Sequence, residues 1–366
     1  MSEEEQTPPA SLSALRERID SIDRQIQALI TERAQFARQV GLAKGPLKEA
    51  LEYYRPDREV QVLRNVIDRN QGPLSNAELV RVFRELMSAC LAQQNPLRVA
   101  FLGPEGTFSQ SAVLTHFGHS VRALPMGSFE EVFQEVEARH ADFGVVPVEN
   151  SSEGAVNHAL DLFLDTPLRI CGEIELRIHQ HLLSHATDLS KVERVYSHAQ
   201  SLGQCRGWLR ENLPNAERIA VNSNAEAARR ARSAPEAAAI AGEAAAQVYG
   251  LPVLRASIED QADNATRFLV IGKDLFPRTG HDKSSLLLIG GAQPGSLYQL
   301  LDPFARHGVN MTRIESRPSR RGKWEYAFFI DIEGHVEDEH IQSALADLGP
   351  LAGQVRVLGA YPVSLL

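Results

Sequence analysis

The sequence has few cysteines, no apolar run long enough to cross a membrane, and no excess of positive charge. Its three cysteines are far apart and form no CxxC pair, so we expect neither a disulfide framework nor a structural zinc site. With 38 basic and 47 acidic residues, the formal charge is -9, which argues against nucleic acid or an anionic membrane as the main partner. The first residues, MSEEEQTPPA, are acidic and polar, the opposite of a signal peptide. These absences predict a cytoplasmic enzyme or regulator that can still carry local basic pockets for small acids.

The chain is long enough, at 366 residues, for two or three domains that each have a core. We expect residues 1–10 to be disordered and residues 11–95 to form three helices, the third opened by a Ser-x-x-Glu capping box. Over residues 97–273 short apolar runs alternate with helical patterns, which is an α/β layout. After a linker, residues 284–362 follow the order βαββαβ of ferredoxin-like folds. The predicted fold class is multidomain: all-α, then two-lobed α/β, then α+β.

The first helix places an arginine in its own apolar stripe. Apolar residues from Leu12 to Val40 repeat at spacings of three and four, which is a heptad seam, and position 33 of that seam holds Arg33. A polar seam residue can fix the register of paired helices, but a buried guanidinium is costly unless it is paired. Arg33 therefore needs a carboxylate, either from the protein or from a ligand.

Other cations and polar residues surround this seam. They are Arg16 and Lys44 on the first helix, Arg55, Arg58 and Glu59 at the start of the second, and Gln94 at the end of the third. Guanidinium groups bind carboxylates in bidentate fashion. The residues by themselves indicate a helical domain that binds a small dianion.

The helical region resembles the all-helical chorismate mutase family over its whole length, in LRERIDSIDRQIQALITERAQFARQVGLAK, YYRPDREVQVL and FRELMSACLAQQ. The resemblance implies a domain-swapped homodimer whose long helix contributes Arg16 to the partner's site. It implies that the same chain holds the carboxylates, ether oxygen and hydroxyl of chorismate with Arg33, Arg58, Lys44, Gln94 and Glu59. The rearrangement to prephenate then needs positioning and charge stabilisation, and no cofactor. Arg55 and Cys90 stand near the substrate, where some members carry Asp and Ser.

In the α/β region, polar loops follow several predicted strands and precede helices. GPEGTFS, PVENSSEG and YSHAQSLGQC have this form, and DNATRFLVIG adds Thr266 and Arg267 at the head of a strand. Binding sites in open α/β sheets lie at such strand ends, where helix N-termini favour anions. Each loop alone is a weak signal, because many α/β loops look similar.

Together these four motifs resemble the prephenate dehydratase family across about residues 97–272. The resemblance implies two lobes like those of type 2 periplasmic binding proteins, with the site in the cleft. There prephenate loses carbon dioxide and its ring hydroxyl to give phenylpyruvate. It implies that Thr266 acts on the departing hydroxyl and that Arg267 binds a carboxylate. The remaining lining that it implies is Thr107, Ser109, Asn150, Ser151, Ser152, Gln200, Gln204 and Phe268.

Three histidines in this region have less specific settings. His198 follows a predicted strand, a place where a hydrogen-bonded structural histidine is more common than a catalyst. His179 and His181 alternate on a predicted strand without cysteine or acidic ligands nearby, so we predict no metal site.

The C-terminal region, around PGSLYQLLDPFARHGVNMTRIESRPSR, resembles the ACT family of regulatory domains. The resemblance implies pairing between subunits and feedback inhibition by phenylalanine. The residues that it implies for phenylalanine binding are Gly295, Ser296, Leu297, Tyr298, Glu315, Ser316, Arg317 and Pro318. The alternative is a ferredoxin-like domain that serves only dimerisation.

The preferred interpretation is an enzyme of phenylalanine biosynthesis that joins the two activities, forms a homodimer or larger homo-oligomer, and uses no cofactor. Its small-molecule partners are then chorismate, prephenate and phenylalanine. One alternative is a non-catalytic amino-acid sensor, against which the intact Thr266-Arg267-Phe268 triplet and the helical cations argue. Another is an enzyme with an inactive mutase half, because of Arg55 and Cys90. A mutase–dehydrogenase fusion is disfavoured, since no GxGxxG follows a strand.

Overall fold

The computed structural model describes residues 11–44, 54–152, 154–290, 293–320, 322 and 325–365. It confirms the predicted order of an all-α region, a two-lobed α/β region and a βαββαβ region. The expected disorder of residues 1–10 lies outside the described residues. Within the described residues, no helix is long and apolar enough to span a membrane.

The N-terminal region contains the helices α1 (Leu12–Ala43), α2 (Pro56–Arg69) and α3 (Asn76–Ala92). The predicted capping box is confirmed: Ser75 Oγ accepts from Glu78 N, and Glu78 Oε2 accepts from Ser75 N at 2.8 Å. The helices α2 and α3 pack together, whereas α1 contacts α3 and contains no buried residue. Its heptad seam is open to solvent in the single chain, with Leu12 65% and Phe36 57% exposed.

The α/β region folds into two lobes that the chain crosses twice. The first lobe contains the strands β1 (Arg98–Leu102), β2 (Arg122–Met126), β3 (Phe143–Asn150), β4 (Gly154–Ala155), β5 (Arg169–Arg177) and β11 (Ala265–Gly272), with the helices α4 (Phe108–Phe117), α5 (Phe129–Glu137) and α6 (Asn157–Leu162). Its sheet order is β2-β1-β3-β11-β5, and β4 pairs with β3.

The second lobe is built on the strands β6 (His181–Ser184), β7 (Arg194–His198), β8 (Glu217–Val221), β9 (Ala237–Ala241) and β10 (Val253–Arg255), with the helices α7 (Ala199–Gln204), α8 (Arg206–Asn212), α9 (Asn224–Ala231) and α10 (Glu243–Tyr249). Its sheet order is β10-β6-β9-β7-β8. The crossings follow β5 and precede β11. Since β3 and β11 are paired, Asn150 lies opposite Thr266 at the edge that faces the second lobe.

The C-terminal region comprises β12 (Asp282–Gly290), α11 (Ser296–Arg306), β13 (Met311–Pro318), β14 (Tyr326–Glu333), α12 (Glu339–Leu348) and β15 (Gln354–Pro362). The antiparallel order β13-β14-β12-β15 is the ferredoxin-like arrangement. The strand β12 begins at Asp282, within the linker that the sequence predicts before residue 284. One face of this sheet packs on the first lobe, where Leu287 and Tyr361 share a core with Ile170.

Candidate active sites

A cavity of about 250 Å³ lies between the two α/β lobes. The first lobe lines it with the loop before α4 and with the facing ends of β3 and β11, and the second lobe lines it with α7 and the loop after β8. Most residues that the dehydratase resemblance singles out meet here: Thr107, Ser109, Asn150, Gln200, Gln204, Thr266 and Phe268. The cavity therefore has a polar wall from each lobe.

Helix N-termini converge on this cavity. Thr107, His198 and Ser223 all line it, and they are the N-cap residues of α4, α7 and α9. The side chains of Thr107 and Ser223 accept from the backbone N–H three residues ahead. The unpaired N–H groups and the positive dipole end of a helix favour anions. The arrangement suits a substrate that carries carboxylates, and it gives His198 a capping role.

Thr266 is held by a buried amide network. Asn150 Nδ2 donates to Thr266 Oγ1 at 2.9 Å and also lies 3.0 Å from Oδ1 of Asn264. Asn150 is 7% and Asn264 3% exposed, so little water competes for these bonds. The network fixes the position of the threonine hydroxyl at the cavity wall.

Three residues that the resemblance assigns to the lining do not line this cavity. The guanidinium of Arg267 points to the other face of β11, where it pairs with Glu173 at 2.9 Å and with Asp331 of the C-terminal region at 2.8 Å. Alternation along the strand causes this, because successive side chains point to opposite faces. Ser151 and Ser152 donate to Asn264 Oδ1, each at 3.3 Å, and so support the amide network. We therefore assign all three a structural role.

The cavity also contains polar residues that the sequence does not single out. They are Gln180, Ser201, Asn222, Ser223 and Asn224. Gln180 stands between His179 and His181, and Asn222 to Asn224 follow β8, a strand too polar to be predicted. A loop of Asn and Ser after a strand is the only signal that could have indicated the latter group.

The residues implied for chorismate do not meet in the described single chain. Arg16 on α1 and Lys44 at its C-cap are exposed, and Arg33 of α1 is half-buried. In the described part of the chain no ion pair involves Arg33, so the protein carboxylate that could neutralise it is not found there. Arg58 is exposed and donates to Gln61 Oε1 at 2.5 Å. Although α3 contacts both other helices, the cations of α1 and the start of α2 form no common cluster in the described single chain, which fits a site completed by a second chain.

The remaining residues of this set have local partners. Gln94 donates from Nε2 to the carbonyl of Ala37 on α1 at 2.9 Å, which ties the end of α3 to the long helix. Arg55 pairs with Asp57 at 2.7 Å, so its charge is directed toward its own helix. Cys90 is buried on α3.

Glu59 lies at the contact between α2 and the first α/β lobe. Arg84 of α3 approaches its carboxylate at 3.8 Å, and Tyr54 packs beside it against Phe117 and Phe143. Burial raises the pKa of Glu59 to about 7, although the Arg84 charge and a hydrogen bond from Tyr54 oppose this. In the described single chain, the carboxylate thus faces the α/β lobe instead of the cations of α1.

The C-terminal region meets the first lobe through ion pairs. Along β13, Arg313 pairs with Glu149 at 2.7 Å, and Arg317 pairs with Asp161 at 3.0 Å. Both residues thus face the first lobe, while Ser316 and Pro318 on the same strand are exposed.

The first phenylalanine motif lies at the start of α11. Gly295, with φ of 81°, is its N-cap, a backbone conformation that favours glycine. Leu297 is 39% and Tyr298 72% exposed. This motif therefore presents apolar surface to solvent in the single chain.

The three regions define a multidomain enzyme: a helical unit with exposed cations, a two-lobed α/β unit with a polar cavity between its lobes, and a ferredoxin-like α+β unit. The chorismate mutase type II family matches residues 15–95, the prephenate dehydratase family residues 99–275 and the ACT family residues 285–350. The chain belongs to the bifunctional chorismate mutase/prephenate dehydratase family. It therefore has chorismate mutase and prephenate dehydratase activities.

Relatives named bifunctional chorismate mutase/prephenate dehydratase match along almost the whole chain. The protein of Stutzerimonas stutzeri is 54% identical, over 97% of this chain and 98% of its own, and that of Pseudomonas aeruginosa is 52% identical with the same coverage. Among solved structures, the prephenate dehydratase of Arthrobacter aurescens in complex with L-Phe is 36% identical with a TM-score of 0.67. That match covers 72% of this chain and 89% of the other.

Proposed function

We propose that the chain converts chorismate through prephenate to phenylpyruvate for phenylalanine biosynthesis, under feedback inhibition by phenylalanine. The mutase site is shared between two chains, the dehydratase site lies between the α/β lobes, and phenylalanine binds the ACT domain. The domains extend over residues 11–95, 97–273 and 284–362. The observation that carries the dehydratase assignment is Thr266 at the cavity wall, with its oxygen occupied by the Asn150 donor at 2.9 Å.

In the dehydratase site, Thr266 is a positioned hydrogen-bond donor. Its oxygen accepts from Asn150, which holds the hydroxyl at the cavity wall, and its proton is donated to the departing ring hydroxyl. The N-termini of α4 and α9, which Thr107 and Ser223 cap, bind the carboxylate that stays in the product. The ring carboxylate leaves as carbon dioxide, which a poorly solvated cavity favours.

The mutase site requires two chains. The exposed apolar seam of α1 is a surface that soluble monomers rarely leave uncovered. A partner helix on this seam brings Arg16 of the partner subunit to Arg33 and Arg58. The three guanidinium groups then hold the two carboxylates of chorismate, and Lys44 with Gln94 stabilises the charge that develops on its ether oxygen.

Feedback inhibition passes through the ion pairs between the ACT domain and the first lobe. Arg267 follows Thr266 directly in the chain, and its guanidinium contacts Asp331 on β14. An ACT arrangement that is stabilised by phenylalanine shifts β14 and so shifts β11. Support for phenylalanine as the effector comes from the Arthrobacter aurescens relative, whose structure is a complex with L-Phe.

The test is an assay of the purified full chain with chorismate, in which prephenate and phenylpyruvate are quantified with and without phenylalanine. We expect phenylpyruvate to form and phenylalanine to slow it. Linkage requires that a prephenate-site ligand weakens phenylalanine binding by the same factor. Equal phenylalanine affinity with and without such a ligand contradicts the regulatory proposal and leaves the two activities intact.

A further inference from the structure

Gln180 is a buried residue of the cavity wall to which the family resemblance gives no role. It is 1% exposed and lies on the first crossing between the lobes, after β5 and before β6. Its N–H donates to Glu259 Oε2 at 2.9 Å, and its carbonyl accepts from Ile258 N at 2.8 Å. Since both partners belong to the return crossing, the backbone of Gln180 is fixed where the two lobes meet.

The side-chain amide of Gln180 has one end satisfied and the other end free. Its Nε2 donates to Ser201 Oγ and to Gln204 Oε1, each at 3.1 Å, which uses both of its hydrogens. Ser201 Oγ in turn accepts from Asn224 Nδ2 at 2.8 Å. By contrast, Gln180 Oε1 has no hydrogen-bond partner among the described residues. A buried acceptor without a partner is destabilising, and here it lines the cavity, where a bound molecule can supply the missing donor.

The chemistry of the cavity indicates what this oxygen accepts. The groups that have so far been given a contact with the substrate are donors: the Thr266 hydroxyl and the N–H groups at the starts of α4 and α9. These suit the carboxylates and the keto oxygen of prephenate, which only accept hydrogen bonds at neutral pH. The ring hydroxyl is the only donor that prephenate carries, so it alone can satisfy a free acceptor.

We infer that Gln180 is a substrate-binding residue whose Oε1 accepts a hydrogen bond from the ring hydroxyl of prephenate. Thr266, from the first lobe, donates to the oxygen of the same hydroxyl. The leaving group is thereby held from two sides, with its oxygen toward Thr266 before the carbon–oxygen bond breaks. A ligand without this hydroxyl leaves Oε1 unpaired, so the residue also selects for hydroxylated rings. This inference rests on the dehydratase activity.

The test compares two ligands that differ by one ring hydroxyl, phenylpyruvate and 4-hydroxyphenylpyruvate, by calorimetry on the full chain. Wild type should bind the hydroxylated ligand about tenfold more tightly, the effect of one hydrogen bond to a buried acceptor. Gln180→Met keeps the length of the side chain but removes the acceptor, and it should abolish the preference. A preference that persists in Gln180→Met, or equal weakening of both ligands, would overturn the assignment, and so would the absence of any preference in wild type.

Two further readouts separate binding from a structural effect. Ser201→Ala removes a partner of Gln180 Nε2 but leaves Oε1 in place, so it should keep the ligand preference. Gln180→Met should lower kcat/KM for prephenate by about tenfold to a hundredfold and leave chorismate consumption unchanged. If wild type fails to dehydrate prephenate, the dehydratase function itself is wrong. If wild type dehydrates it and Gln180→Met does so equally well, only the role of Gln180 is wrong.

Discussion

Asn150 Nδ2 donates to Oγ1 of Thr266 across 2.9 Å, at the point where β3 and β11 face the second lobe. The bond holds the threonine hydroxyl in a fixed position. Because the oxygen accepts from an amide, its own proton is available to another acceptor. Thr266 also lines the cavity between the lobes, so a proton directed there can reach a bound molecule.

Replacement of Thr266 by valine, which has nearly the same shape but no hydroxyl, should abolish most dehydratase turnover. General acid or donor assistance contributes about a hundredfold to ten-thousandfold, and kcat for prephenate should fall within that range. Thr266→Ser keeps the hydroxyl and should retain much more activity. Chorismate consumption serves as the internal control for folding. Equal activity of the serine and valine variants would contradict the donor role.

Asn264 should act through Asn150 and not through contact with substrate. Its Oδ1 accepts hydrogen bonds from Asn150 Nδ2 at 3.0 Å and from the hydroxyls of Ser151 and Ser152 at 3.3 Å. Asn264→Leu removes this acceptor, so Asn150 loses its orientation and Thr266 its fixed position. We expect kcat for prephenate to fall about tenfold to a hundredfold with little change in KM.

The conservative variant tests that interpretation. Asn264→Asp keeps an oxygen acceptor for the three donors and should restore most of the turnover. The measurement is steady-state kinetics on prephenate for both variants. If KM rises while kcat stays constant, Asn264 binds substrate directly and is not a positioning residue.

Local sequence signals predicted the elements that they encode directly. The capping box at Ser75 and the βαββαβ order of the C-terminal region are confirmed because caps and strand periodicity depend on near neighbours. The strands β2 and β8 escaped prediction: RALPM contains a proline, and ERIAV has mostly exposed residues, as edge strands do. Their pairing comes from the neighbouring strand and not from their own pattern.

The residues of the candidate sites also fall into two groups, those that local motifs predict and those that only the fold brings together. Thr266 and Asn150 are found from motifs, and alternation along β11 places Arg267 on the opposite face, a consequence that the triplet alone does not reveal. The roles proposed for Gln180 and Asn264 depend on the crossing of the two lobes, which brings residues from distant parts of the chain together. No periodicity in the sequence encodes such a contact.

The ion pair between Arg267 and Asp331 should carry part of the response to phenylalanine. Asp331→Asn keeps the hydrogen bond from Ser285 but loses the charge that holds Arg267 at 2.8 Å. The phenylalanine concentration for half inhibition of the dehydratase should rise severalfold, a typical coupling between sites. Asp302→Asn, in an exposed ACT ion pair with Arg306, is the matched control and should leave inhibition unchanged. Equal inhibition curves for the two variants would remove Arg267 from the regulatory path.

Glu59 should make the stability of the chain depend on pH. Burial raises its pKa from 4.5 to about 7, so the folded chain holds a proton that the unfolded chain releases. The stability that protonated Glu59 contributes to the folded chain is therefore complete below about pH 4.5 and is lost as the pH rises through about 7. Glu59→Gln does not titrate, and its free energy of unfolding should gain about 1 to 3 kcal/mol relative to wild type between pH 5 and pH 8.

Thermal midpoints of both proteins at these two pH values provide the measurement. Burial, with the nearby Arg84 charge, lowers the pKa of His116 to about 3, which acts in the opposite direction below pH 6.5. His116 is present in both proteins, so its effect cancels in the difference. The quantity to compare is the thermal midpoint of Glu59→Gln minus that of wild type. If this difference is constant or falls from pH 5 to pH 8, Glu59 is ionised and paired in the folded chain.

The exposed seam of α1 leads to a prediction about mixed dimers. If Arg16 acts in the partner's site while Arg58 acts in its own, then Arg16→Ala and Arg58→Ala each destroy both mutase sites of a homodimer. A mixed dimer of the two variants has one site that lacks both arginines and one site that is intact. After subunit exchange at equal amounts, half of the dimers are mixed, so about a quarter of the wild-type mutase activity should return.

Dehydratase activity on prephenate, measured in each variant alone, reports that the chains are folded. If all residues of the site come from one chain, every site in the mixture lacks an arginine and no activity returns. Recovery of chorismate consumption on mixing thus separates a shared site from a helix that only joins two complete enzymes.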